Sequence, residues 1–242
     1  VAEHFQGRHV VVTGGTGALG TAVVRRVIES GGHCHVPCVS AEELRHFPFA
    51  HHARVRVMMG GELRDEATVV RLFEETPELW ASVHCAGGFA MSPIGETSAS
   101  AFLDMVEMNA LSCFLCCREA VRRMRAFAGS RQGRASLGRI VNVAARPAVE
   151  PRSGAGMVAY AAAKSAVASL TAALAEEVAG EGILVNAVVP SIMDTPANRR
   201  AMPSADHSKW ATVDEVAATI AFLASPANAS TRGGLVPVSG CS

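Results

Sequence analysis

The feature that most constrains this chain lies near its start. Between Arg8 and Thr13 runs His-Val-Val-Val-Thr, and Gly14-Gly15-Thr16-Gly17-Ala18-Leu19-Gly20 follows at once, ahead of a segment from Thr21 to Ser30 with amphipathic helical spacing. A short, continuous β-branched run is what a parallel strand covered on both faces requires. Glycines after such a strand let the backbone turn tightly and approach an anion, and the next helix turns its N-terminal amides and dipole toward the same place. Strand, glycine turn and helix in this order predict the first βα unit of an open α/β sheet with a pyrophosphate at the turn; a plain tight βα turn is the competing reading.

The rest of the chain keeps the alternation. Strands are expected at His33 to Val39, His51 to Met59, Leu79 to Cys85, Arg139 to Val143, Ile183 to Val189 and Leu235 to Val238. Helices are expected at Asp65 to Glu75, Ser98 to Ala128, Met157 to Ala179 and Val213 to Ala224. Strands alternating with helices from end to end predict α/β architecture: one doubly wound parallel sheet flanked by helices. No Pro/Gly/Ser-rich linker is long enough to divide the 242 residues, so a single domain spanning 1–242 is expected.

Charge narrows the partners. With 22 basic and 22 acidic residues the formal net charge is zero, and no long run of one sign occurs, which disfavours nucleic acid and anionic membranes. No run of about 18 uncharged apolar residues is present to span a bilayer, and Val1 to Arg8 has no signal-peptide apolar region. Seven scattered cysteines, an odd number, argue against a disulfide framework and suggest a reducing, cytoplasmic setting. His33-Cys34-His35-Val36-Pro37-Cys38 lies on a strand, where neighbours point to opposite faces. Cys113, Cys116 and Cys117 lie in an apolar helical run where small buried thiols are common. Neither cluster is expected to bind a metal.

Tyr160-Ala161-Ala162-Ala163-Lys164 sits inside an alanine-rich helical segment, so the phenol and the ammonium share one helical face. Alone, this spacing arises by chance. Together with Thr13 to Gly20, Cys85-Ala86-Gly87-Gly88, Asn109, Ile140-Val141-Asn142-Val143 and Val185-Asn186-Ala187-Val188-Val189-Pro190, it makes the chain resemble the short-chain dehydrogenase/reductase family over nearly its whole length. The resemblance implies a Rossmann-like NAD(P)-binding domain that transfers hydride to or from a carbonyl or imine-like small molecule. Tyr160 would be the general acid/base. Lys164 would lower the phenol pKa by its charge and hold the nicotinamide ribose, and Asn109 would anchor a water that relays protons to the lysine. It also implies cofactor contacts at Gly14, Thr16, Gly17, Leu19, Gly20, Ser40, Glu62, Leu63, Ala86, Gly87, Tyr160, Lys164, Pro190, Ile192 and Thr195. Relatives assemble as dimers or tetramers through the two long helices.

Departures from the family pattern carry information. His84-Cys85-Ala86-Gly87 replaces Asn-Asn-Ala-Gly, Ala18 stands where the middle glycine is usual, and Ser191 replaces the glycine after Pro190. The family's catalytic serine is absent: matching the strand end gives Ala144 or Ala145, and counting back from the tyrosine gives Pro147. Ser153 or Arg146 could steady the substrate oxygen instead. Residues 191–211 are expected to form a lid, with Met193, Met202 and Trp210 toward substrate. That segment, with Gly15-x-Gly17-Ala18-Leu19-Gly20 and Gly156-Met157, resembles dihydropteridine reductases, so quinonoid dihydropteridine reduction is an alternative activity. A catalytically silent dinucleotide-binding protein is another. The acid that usually ends the second strand and selects NAD is replaced by Val39 and Ser40. NADP or NAD is therefore expected, with the balance tipped to NADP.

Overall fold

The computed structural model describes residues 4–128 and 137–240. The first residues of the segment inspected for a leader, and Cys241, lie outside them. In chain order the elements are β1 (His9–Thr13), α1 (Ala18–Glu29), β2 (His33–Cys38), α2 (Ala41–His46), β3 (Val55–Met59), α3 (Glu66–Glu74), β4 (Leu79–His84), α4 (Ala99–Val106), α5 (Ser112–Ala126), β5 (Gly138–Val143), α6 (Arg146–Val149), α7 (Val158–Glu177), β6 (Ile183–Pro190), β7 (Met193–Asp194), α8 (Pro196–Ala201), β8 (Ala211–Thr212), α9 (Val213–Ala224) and β9 (Leu235–Val238).

Seven strands pair in the order β3-β2-β1-β4-β5-β6-β9, all parallel. The strand order reverses between β1 and β4. In an open α/β sheet the crevice at that switch, beyond the carboxyl ends of the strands, is where ligands bind. Alternation along the strands divides the core in two. Val10 and Val12 of β1 pack with α1 and α9, whereas Val11 packs on the opposite face with α3, α5 and α7.

The expected elements are all present, with adjusted ends. β3 starts at Val55, not His51, because Arg54 N donates to His52 Nδ1 and Val55 N to the His52 carbonyl, closing a turn before the strand. The long helix from residue 99 to 126 contains a π-helical turn over Glu107–Leu111. Helix α2 was not expected; Ser40 caps it by accepting from Glu43 N. The stretches Ala99–Ala126 and Val158–Glu177 are long and apolar enough to cross a bilayer by composition. Each interrupts its apolar run with charged residues and buries one face against the sheet.

Candidate functional site

The glycine turn and the loop after β4 form one cradle. Gly14 takes φ +62°, and a Cβ there would lie 2.7 Å from Ala86 N, so only glycine lets the two backbones meet. Cys85 N donates to the Thr13 carbonyl at 3.1 Å and Ala86 N to Thr13 Oγ1 at 3.3 Å, which fixes the second loop against the first. Gly17 is the N-cap of α1, no side chain caps that end, and no acid occupies the first turn. The orphan amides of the helix therefore face the crevice, an arrangement that suits a dinucleotide pyrophosphate. Leu19 and Leu63 are buried, each in one of the two core clusters. Glu62 pairs with Arg64 at 3.3 Å. Pro190 ends β6, Ile192 is exposed beyond it, and Thr195 caps α8 by accepting from Asn198 N.

Helix α7 carries Tyr160 and Lys164 to the same crevice. The Lys164 ammonium donates to the Val143 carbonyl at 2.8 Å and stands 5.9 Å from the centre of the Tyr160 ring. A Cβ on Gly87 would come within 2.6 Å of Asn109 Oδ1 and 3.4 Å of Lys164 Nζ, so the glycine, the amide and the ammonium converge. Burial lowers the Lys164 pKa to about 8 and raises that of Tyr160 to about 12. The expected depression of the phenol by Lys164 is thus not what this structure has: desolvation favours the neutral form of each group.

Asn109 is fixed by the chain around it. It lies in the π turn, where its Nδ2 donates to the carbonyls of Gly88 and Met105 and its Oδ1 accepts from Gly88 N. The side chain clamps the loop after β4. One ring that sequence reading overlooked packs here. Phe89, mostly exposed, stands edge-on to Tyr160 with centroids 4.9 Å apart. Its only sequence signal is its place directly after Gly87-Gly88.

Where the family keeps a serine, Ala144, Ala145 and Pro147 are buried and carry no hydroxyl. The two proposed substitutes are engaged elsewhere. Ser153 donates to the Glu150 carbonyl at 2.8 Å, and Arg146 pairs with the Glu150 carboxylate at 2.7 Å. Both are held by Glu150, between α6 and the turn that follows it.

The unusual His84 belongs to a closed polar chain. Thr171 donates to the Val167 carbonyl and accepts from Asn142 Nδ2 at 2.9 Å, which leaves Asn142 Oδ1 as acceptor for His84 Nδ1–H at 2.8 Å. His84 Nε2 then accepts from Ser82 at 2.7 Å. Cys113 and Cys117 bring their sulfurs against this imidazole, the donor atoms of all three residues lying within 4.8 Å of one another. On β2, Cys34 and Cys38 are both buried, and His33 and His35 instead meet His9, with His9 Nδ1 and His35 Nε2 3.0 Å apart.

The segment after Pro190 is pinned at its base by β7 pairing with β8. Arg199 makes a two-point ion pair with Asp194, and Asn198 Nδ2 donates to the Met193 carbonyl. His207 bonds the Met202 carbonyl at 2.8 Å and packs on Trp210, 4.5 Å between ring centres. Trp210 is buried at the end of this segment, and Met193 and Met202 on it are half-buried.

This chain resembles known proteins along most of its length. A family profile described as short chain dehydrogenase matches residues 8–206. Cis-4-hydroxycyclohexanecarboxylate dehydrogenase of Sinomonas cyclohexanicum is 32% identical over 99% of this chain and 98% of its own length. 2-Dehydro-3-deoxy-L-rhamnonate dehydrogenase (NAD(+)) of a Sphingomonas strain is 27% identical over 99% and 96%. The solved structure of an oxidoreductase of the short chain dehydrogenase/reductase family from Burkholderia thailandensis superposes with a TM-score of 0.84 at 26% identity, covering 97% of this chain and 92% of that one. The profile match across most of the length, together with the cradle and the Tyr160–Lys164 pair, establishes that the chain belongs to the short-chain dehydrogenase/reductase family of NAD(P)-dependent oxidoreductases.

Proposed function

We propose that this protein interconverts a small alcohol and its carbonyl, or the equivalent amine and imine, with Tyr160 as the general acid/base. The observation that carries this reading is the convergence of Tyr160, Lys164 and Gly87 at the crevice where the glycine cradle opens. A nicotinamide dinucleotide lying along Gly14 to Gly20 and Ala86-Gly87 supplies or accepts the hydride. Tyr160, a phenol held at about 12, keeps its proton at neutral pH and donates it to the substrate heteroatom. Lys164, titrating at about 8 beneath it, can exchange a proton near neutrality. No hydroxyl stands at Ala144 or Ala145, so the substrate oxygen is oriented without that donor.

Phe89 against Tyr160 and Met91 beside Gly156 give the approach an apolar wall. This favours a substrate with hydrocarbon next to its reacting carbon, in keeping with the cyclohexane substrate in the Sinomonas relative's name. Self-association belongs to the same reading. Ala162, Ala166, Ser169, Ala172 and Ala173 form an exposed stripe on α7, and Phe102, Leu103 and Phe114 stand exposed on α4 and α5.

The test is turnover with reduced and oxidised dinucleotides over a panel of cyclic ketones and alcohols. Tyr160→Phe should lower turnover by about 10² to 10⁴ while dinucleotide binding, read by nicotinamide fluorescence, survives. Full turnover in that variant would sink the assignment.

A further inference from the structure

The second strand ends without the acid that usually holds the adenosine ribose, yet a carboxylate reaches the same place from α2. Glu43 Oε2 accepts from Thr16 Oγ1 at 3.3 Å, in the glycine turn, and from Val39 N at 3.4 Å, at the end of β2. Cys38 Sγ also points to it at 3.8 Å. These three donors border the corner between the glycine turn and the β2 terminus, where a dinucleotide's adenosine ribose lies in folds of this kind. The carboxylate is held there by the chain itself: Ser40 caps α2 by accepting from Glu43 N at 3.2 Å, which sets the first turn of the helix that carries it.

We propose that Glu43 is the residue that selects the dinucleotide, accepting from the ribose 2′-hydroxyl and repelling a 2′-phosphate, so that the protein uses NAD(H) in preference to NADP(H). The inference rests on the reading of the glycine turn as a dinucleotide cradle. A 2′-phosphate would bring close to two further negative charges against Glu43, with Glu42 beside it. Among the described residues, no basic side chain is paired with Glu43. Val39 and Ser40 supply no positive charge, and Arg45 lies two residues beyond Glu43 on α2, a spacing that does not place two side chains on one helical face. The missing strand-end acid therefore does not free the site for NADP; the acid has moved to the next helix.

The experiment is equilibrium titration of the purified chain with NADH and with NADPH, followed by nucleotide fluorescence, which needs no substrate. NADH should bind at least about tenfold more tightly than NADPH, the scale set by one carboxylate facing a phosphate at a solvent-exposed site. Glu43→Gln should bring the ratio to within about threefold, chiefly by tightening NADPH. Glu42→Gln should retain most of the preference. Equal or tighter binding of NADPH by the wild type overturns the proposal, as does a ratio unmoved by Glu43→Gln. Should that variant not fold, the wild-type ratio still decides. Binding of neither nucleotide would defeat the cradle itself, an outcome distinct from binding with the wrong preference.

Discussion

Lys164 is buried with its ammonium on a backbone carbonyl, and burial takes its pKa from 10.5 to about 8. Below about pH 8 both the folded and unfolded chains carry that proton, and the full cost of a buried charge weighs against the fold. Between about 8 and 10.5 the unfolded chain binds more protons, so this site's contribution to stability rises with pH. Lys164→Met should therefore gain stability relative to wild type most at pH 7, and the gain should shrink by on the order of 3 kcal/mol toward pH 10. Denaturant midpoints measured across that range check it; a pH-independent difference would refute the burial argument. Tyr160 acts in the opposite sense, its proton retained in the fold from 10.0 up to about 12, so its contribution falls as pH rises through that interval. The phenol and the ammonium at i and i+4 were legible in the sequence. Their protonation was not, because it depends on how much of the crevice covers them.

At the scale of elements, the polar chain Ser82–His84–Asn142–Thr171 ties β4 to β5 and to α7 in the interior. It explains how His84 can stand where relatives carry asparagine: an imidazole also offers one donor and one acceptor. His84→Ala should orphan the Ser82 hydroxyl and leave Asn142 Oδ1 with only the weak Cys117 thiol donor, at a cost of about 1–3 kcal/mol for each group left unsatisfied. His84→Asn should recover part of that loss in thermal unfolding, which a purely volumetric role for the ring would not produce. The ends of elements were less legible than their order. A side-chain acceptor on His52 delays β3, and a π turn around Asn109 sends its amide to Gly88. Both depend on hydrogen bonds that hydrophobic periodicity does not encode.

For the molecule as a whole, the two long helices separate their apolar residues into two faces. Val167, Ala168 and Ala175 turn inward, while Ala162, Ala166 and Phe114 remain exposed. Alanine abundance in α7 alone could not distinguish monomer packing from association, and the outward stripe is the surface that the proposed association would use. Phe114→Glu should shift the protein toward a smaller species in light scattering, with its far-UV dichroism unchanged. An unaltered mass would place any assembly elsewhere.

Sequence alone determined the order of strands and helices, the glycine turn, the tyrosine–lysine pair and the absence of the serine, because these are local patterns of periodicity, backbone freedom and residue chemistry. Tertiary structure decided what those residues meet. It tied His84 on β4 to Asn142 on β5 and Asn142 to Thr171 on α7, and carried the Glu43 carboxylate from α2 to Thr16 in the turn between β1 and α1. Such contacts join segments whose separation along the chain leaves no periodic trace, and only the packing of helices on a parallel sheet brings them within reach.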